Sequence, residues 1–100
     1  KYTQTVEVEV GVPQEFALYQ NYPNPFNPTT VISYTIPKDG MVTLKVYDIL
    51  GKEVATLVNR EQTAGSYEVQ FDGSRLASGV YFYKLESGKF TSVKKFVLMK

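Results

Sequence analysis

The chain has 100 residues, 43% hydrophobic and 21% charged, with a formal net charge of +1. That describes one small domain, or a domain with a tail, too apolar for a disordered chain and too nearly neutral to gather nucleic acid through a global field. His and Cys are both absent, which excludes zinc fingers, thiol or Ser–His nucleophile pairs and disulfide staples.

From the first residue the dominant period is two. Lys1–Val10 alternates Tyr2, Val6, Val8 and Val10 against Thr3, Thr5, Glu7 and Glu9, the pattern of a strand with one buried face. A lone amphipathic strand is not stable in water and must join a sheet. It can add to its own sheet as an edge, or be donated to a neighbouring copy with Tyr2, Val6, Val8 and Val10 as the inserted face. Repeated head to tail, the second arrangement builds an open filament.

Residues 11–29 break the rhythm. They hold four of the five prolines, at positions 13, 23, 25 and 28, which forbid helix and deny a ladder its N–H donors. Such a long irregular stretch in a small domain points to a functional or linking role. Its aromatics, Phe16, Tyr19, Tyr22 and Phe26, are expected not to float free, so the segment reads as a strap lying against the body.

Alternation resumes over Thr30–Ile36 and Met41–Tyr47, followed by a shorter apolar piece over Glu53–Val58. Tyr67–Phe71 alternates again. Val80–Leu85 is apolar on both faces, as in a central strand covered on both sides, and Phe90–Met99 closes the chain. Turn residues separate the runs: Pro37-Lys38-Asp39-Gly40, Asp48-Ile49-Leu50-Gly51 and Glu86-Ser87-Gly88-Lys89. The spacing predicts an all-β fold, an immunoglobulin-like antiparallel β-sandwich of about seven strands with a Pro-rich strap. The expected layout is an N-terminal strand over 1–10, a strap over 11–29 and the sandwich over 30–100.

Sites for chemistry are sparse. Asp39, Asp48 and Asp72 lie near turns but lack the D-x-D-x-D-G spacing of a calcium loop, and Asp in a turn normally caps its own backbone. Tyr81, Phe82 and Tyr83 stand on alternating faces and do not form a base-stacking platform. No carboxylate pair, phosphate loop or nucleophile–base set can be assembled. The expectation is no enzyme, no cofactor, no metal, no nucleic-acid partner and no integral membrane segment.

Several runs taken together carry a family resemblance. Phe16–Thr30, with Asn21-Tyr22-Pro23-Asn24-Pro25-Phe26-Asn27-Pro28 inside it, resembles the opening signature of the type A C-terminal sorting domain of the type IX, or Por, secretion system. The resemblance continues through Gly40–Gly51, Ala64-Gly65-Ser66-Tyr67, Phe71-Asp72-Gly73, Leu76–Leu85 and Val93–Lys100, and so covers about residues 14–100. Phe71 stands where the family often has Trp. The sandwich is also similar to the immunoglobulin-like module of flagellar hook-capping proteins. The resemblance implies a non-catalytic export address that the outer-membrane secretion machinery binds on the way, via the periplasm, to the cell surface. It further implies that recognition falls on Pro23, Asn24, Pro25, Gly79, Tyr81, Lys94, Lys95 and Lys100, of which Lys94 and Lys95 must point to opposite faces. The alternative expectation is a secreted structural subunit that polymerises with copies of itself through the donated first strand.

Overall fold

In a computed structural model of the chain, residues 15–100 are described. Seven strands follow one another: β1 (Ala17–Leu18), β2 (Thr29–Ile36), β3 (Gly40–Tyr47), β4 (Glu53–Gln62), β5 (Gly65–Asp72), β6 (Gly79–Ser87) and β7 (Phe90–Leu98). They form two antiparallel sheets, one ordered β1-β2-β5 and the other β4-β3-β6-β7. This is the expected immunoglobulin-like β-sandwich. The proposed donated strand, with Tyr2, Val6, Val8 and Val10, lies outside the described residues.

The two-residue period translates directly into the core. Alternate residues of β2 (Thr30, Ile32, Tyr34 and Ile36) face Val42, Leu44 and Val46 of β3, Tyr83 and Leu85 of β6, and Phe96 and Leu98 of β7, and all are buried. Each such apolar side chain contributes about 1.5–3 kcal/mol on leaving water. Phe96 is the aromatic hub, with the rings of Phe26, Phe71, Tyr81 and Tyr83 centred 4.9–5.8 Å from its own.

Three expectations need correction. β4 runs on to Gln62 instead of stopping at Val58, because the whole of β3 is available to pair with it, up to Gly40↔Gln62. The polar end is tolerated because Gln62 Oε1 accepts a hydrogen bond from the buried Tyr34 hydroxyl. β6 is central in its sheet but covered on one face only: Tyr81, Tyr83 and Leu85 turn inward, while Val80 is exposed and Phe82 and Lys84 are half-buried on the outer face. The strap contains a strand of its own, since Ala17 and Leu18 pair with Thr35 and Tyr34.

Glycines matter at two points. In the β3–β4 turn, Asp48 Oδ1 accepts the N–H groups of Leu50 and Lys52 at 2.9 Å. Gly51, at φ 87°, closes that turn with a 3.0 Å bond to the Asp48 carbonyl, a left-handed backbone that favours glycine. Gly73 is closely packed: a Cβ there would lie 3.2 Å from a Leu98 methyl and 3.5 Å from the rings of Phe26 and Phe71, so Leu98 would have to give by a few tenths of an ångström.

The hairpins sort to two ends of a body 50 Å long. The β2–β3 and β6–β7 turns, the β4–β5 connection and the chain at Glu15 share one end. The β3–β4 turn, the loop after Asp72, the start of β6 and the end of β7 share the other, as the strand registers require.

Candidate functional site

Proline cannot donate to a ladder, so a Pro-rich segment is held by the residues between its prolines. Tyr19 N–H donates to Ser33 O at 3.0 Å, and Tyr22 exchanges N–H···O bonds with Val31 at 3.0 and 2.9 Å, which places the first half of the strap along β2. The second half lies along β7. Phe26 N–H donates to Val97 O at 3.1 Å, Met99 N–H donates to Phe26 O at 3.0 Å, and Asn24 Oδ1 accepts Val97 N–H at 2.9 Å. The strap therefore starts as an edge of one sheet and finishes as an edge of the other, closing the open side of the sandwich. It also occupies main-chain groups of β7 that would otherwise offer an unprotected edge.

The crossing is secured by a buried polar latch around Asn21. Asn21 Nδ2 donates to Pro23 O at 3.1 Å and to Thr30 Oγ1 at 3.0 Å; Thr30 Oγ1 donates to Pro23 O at 2.8 Å. The Tyr83 hydroxyl accepts Asn21 N–H at 2.9 Å and donates to Tyr19 O at 2.8 Å. Gln20 Nε2 bridges Asn21 Oδ1 at 2.6 Å and Lys95 O at 2.7 Å. Sequence reasoning did not single out Asn21, Thr30 or Tyr83 as a unit. An Asn beside a Pro-rich run reads as a turn residue, and only the fold carries a tyrosine 62 positions away to its amide.

Burial pushes the Tyr83 phenol up to about 12, partly offset by the Asn21 N–H; burial also raises Tyr34. An unfolded tyrosine ionises near pH 10. The folded protein therefore holds this contribution below pH 10 and loses it as the pH rises toward 12. Urea unfolding is expected to show a decline of order 1–3 kcal/mol across that interval. Tyr83→Phe, less stable at pH 7 because Tyr19 O and Asn21 N lose their partner, is expected to show a flatter decline.

The implied recognition residues divide by environment. Pro23, Asn24 and Pro25 are exposed on the strap beside the end of β7. Gly79 pairs with Leu98 at the start of β6. Tyr81 is buried, its ring against Phe96 and its hydroxyl donating to Ala77 O at 2.7 Å. Lys100 N–H donates to Ser78 Oγ at 3.0 Å and its Nζ to Ser74 O at 2.6 Å. The structure thus brings Pro23–Pro25, Gly79 and Lys100 to one end. Lys94 and Lys95 lie farther back along β7: Lys94, half-buried, pairs with the inward Tyr83, and Lys95, exposed, pairs with Phe82. Nearby, the bond from Ser74 and the charges of Lys100 and Arg75 hold the Asp72 carboxyl below its usual range.

Among the described residues no group of three or more His, Cys, Asp or Glu could hold a metal ion, and no helix is long and apolar enough to cross a membrane. Fold and site together define a small all-β module with a latched strap along its last strand. The family model described as "secretion system C-terminal sorting domain" matches residues 20–99, and the chain belongs to that family. A solved structure with a similar fold is that of PorZ from Porphyromonas gingivalis, described as an essential bacterial surface component of the type-IX secretion system. The two are 23% identical with a TM-score of 0.57 over 83% of this chain, which spans only 11% of that protein. Comparison with curated proteins finds no match.

Proposed function

We propose that this chain is the address module of a type IX secretion substrate, of the type A class, and that it directs the polypeptide carrying it to the cell surface by binding the outer-membrane export machinery. It acts as a docking body and not as an enzyme. The family match, which begins in the strap at Gln20 and ends just past β7 at Met99, carries the reading. On this reading the functional unit is residues 14–100, with the strap as part of the body. The similarity to the hook-capping module belongs to the sandwich alone.

The recognition face is the end bearing Pro23, Asn24, Pro25 and Lys100, with Lys95 extending it along the outer side of β7 and Lys94 on the opposite side of that strand. The exposure of the strap prolines and their distance from the leading end at Glu15 support this choice, since a receptor there leaves the incoming chain unobstructed. Gly79 and Tyr81 act on this face by shaping it, in keeping with the burial of Tyr81. Nothing among the described residues or in the comparisons favours the self-assembling filament subunit.

Fusing residues 14–100 to a reporter in a bacterium competent for type IX secretion is expected to bring the reporter to the cell surface; a reporter retained in the periplasm overturns the proposal. Changing Pro23 and Pro25 together to alanine alters two exposed positions and is expected to reduce surface delivery. Undiminished delivery would remove these prolines from the recognition face.

A further inference from the structure

At the leading end of the sandwich, opposite the strap prolines, lies an open apolar groove of about 490 Å³ lined by Pro37, Lys38, Gly40, Met41, Lys89 and Phe90, among others. Met41 and Phe90 are each 49% exposed. The described chain begins at its lip: Glu15 O accepts a 3.0 Å bond from Thr35 Oγ1, and the Phe16 ring stacks on Phe90 with centroids 4.9 Å apart. Lys38 and Lys89 stand at the rim without an ion-pair partner among the described residues. Asp39 also lines the groove, its carboxylate accepting the Ala64 N–H at 2.8 Å, so the edge carries two lysines and one acid.

The sequence immediately before this point is Glu7-Val8-Glu9-Val10-Gly11-Val12-Pro13-Gln14. In sequence it supplies small apolar residues nearest Glu15 and two carboxylates before them, a composition complementary to an apolar floor with two lysines at its edge. Val12 lies four positions before Phe16, a reach of about 13 Å at about 3.3 Å per residue. A segment tethered this closely acts at an effective concentration in the millimolar range, an advantage that no free peptide shares.

We propose that the groove is the docking site of the chain's own residues 7–13. Val10, Val12 and Pro13 fill the apolar floor, and Glu7 and Glu9 meet Lys38 and Lys89. This fixes the direction in which the preceding polypeptide leaves the sandwich. It stands independently of the export reading, because it concerns the opposite end of the molecule.

The chain of residues 1–100 has no native cysteine, so introduced pairs report contact cleanly. Val12→Cys with Met41→Cys probes the groove. Val12→Cys with Ser66→Cys is the proximity control, because Ser66 is the register partner of Thr35, which anchors Glu15, and paired strands lie about 5 Å apart. In oxidised glutathione the groove pair is expected to form an intramolecular disulfide about tenfold faster than the control pair, as docking raises the local thiol concentration. Adding Lys38→Glu and Lys89→Glu is expected to slow it about threefold at low salt, an effect that 1 M salt abolishes by screening. Equal rates for the two pairs overturn the proposal. Disulfide-linked dimers overturn it in favour of occupation by a second copy, and a rate indifferent to charge reversal overturns the assignment of Glu7 and Glu9.

Discussion

Phe26→Ala is expected to lower the free energy of unfolding by about 3–5 kcal/mol, the usual cost of removing a buried phenylalanine ring. The ring is 2% exposed and lies edge-on to Phe96, 4.9 Å between centroids, and to Phe71 at 6.2 Å. Gly73 has no side chain to move into the space, and Leu98 and Phe71 are fixed by their ladders, so the cavity cannot readily collapse. Tyr22→Ala provides the contrast. That ring stands four residues earlier in the same strap but is 81% exposed, and its loss is expected to stay within about 0.5 kcal/mol. Equilibrium urea unfolding of the two variants checks both values. Similar losses would mean that the strap is not pinned to the core through Phe26.

Asn21→Ala removes the three side-chain bonds that hold the strap at its crossing and leaves Pro23 O with only Thr30 Oγ1 as donor. A buried group stripped of a partner costs about 1–3 kcal/mol, and with more than one group affected the expected loss is about 2–3 kcal/mol. In a domain of this size that is a fall in Tm of roughly 10 °C or more. Asn21→Asp tests the cause. The carboxylate is nearly isosteric but cannot donate to Pro23 O when ionised, and it is buried against an acceptor. This variant is expected to be at least as unstable at pH 7 and to recover as the pH falls and the acid regains a proton. A melting temperature in Asn21→Asp that is insensitive to acid would mean that Nδ2 donation is not what secures the crossing.

Both predictions concern the strap, where the sequence was least informative. Proline announced that residues 11–29 would not be a regular strand and aromatic content announced that they would not leave the surface. Neither could say which aromatic goes inside. Phe26 is buried and Tyr22 is exposed because the main chain rotates between its bridge to Val31 on one sheet and its bridge to Leu98 on the other. That rotation depends on two strands more than sixty positions apart in the chain. The latch is invisible for the same reason, as Asn21, Thr30 and Tyr83 come from three segments and meet only after the sheets have stacked. The implied recognition residues show the same division. Their positions were readable as a motif, but the burial of Tyr81 against Phe96 follows from packing alone.

What the linear order of residues determines here is everything local in range. A two-residue alternation admits only strands, Gly and Asp at the turns admit only antiparallel connections, and the lack of His and Cys removes whole classes of chemistry. Tertiary structure alone decides which face of β6 meets water, how far β4 extends, and which strap side chains are enclosed. Each of those is a matter of what a residue lies against, and a neighbour brought from the other sheet leaves no mark on the spacing of the chain.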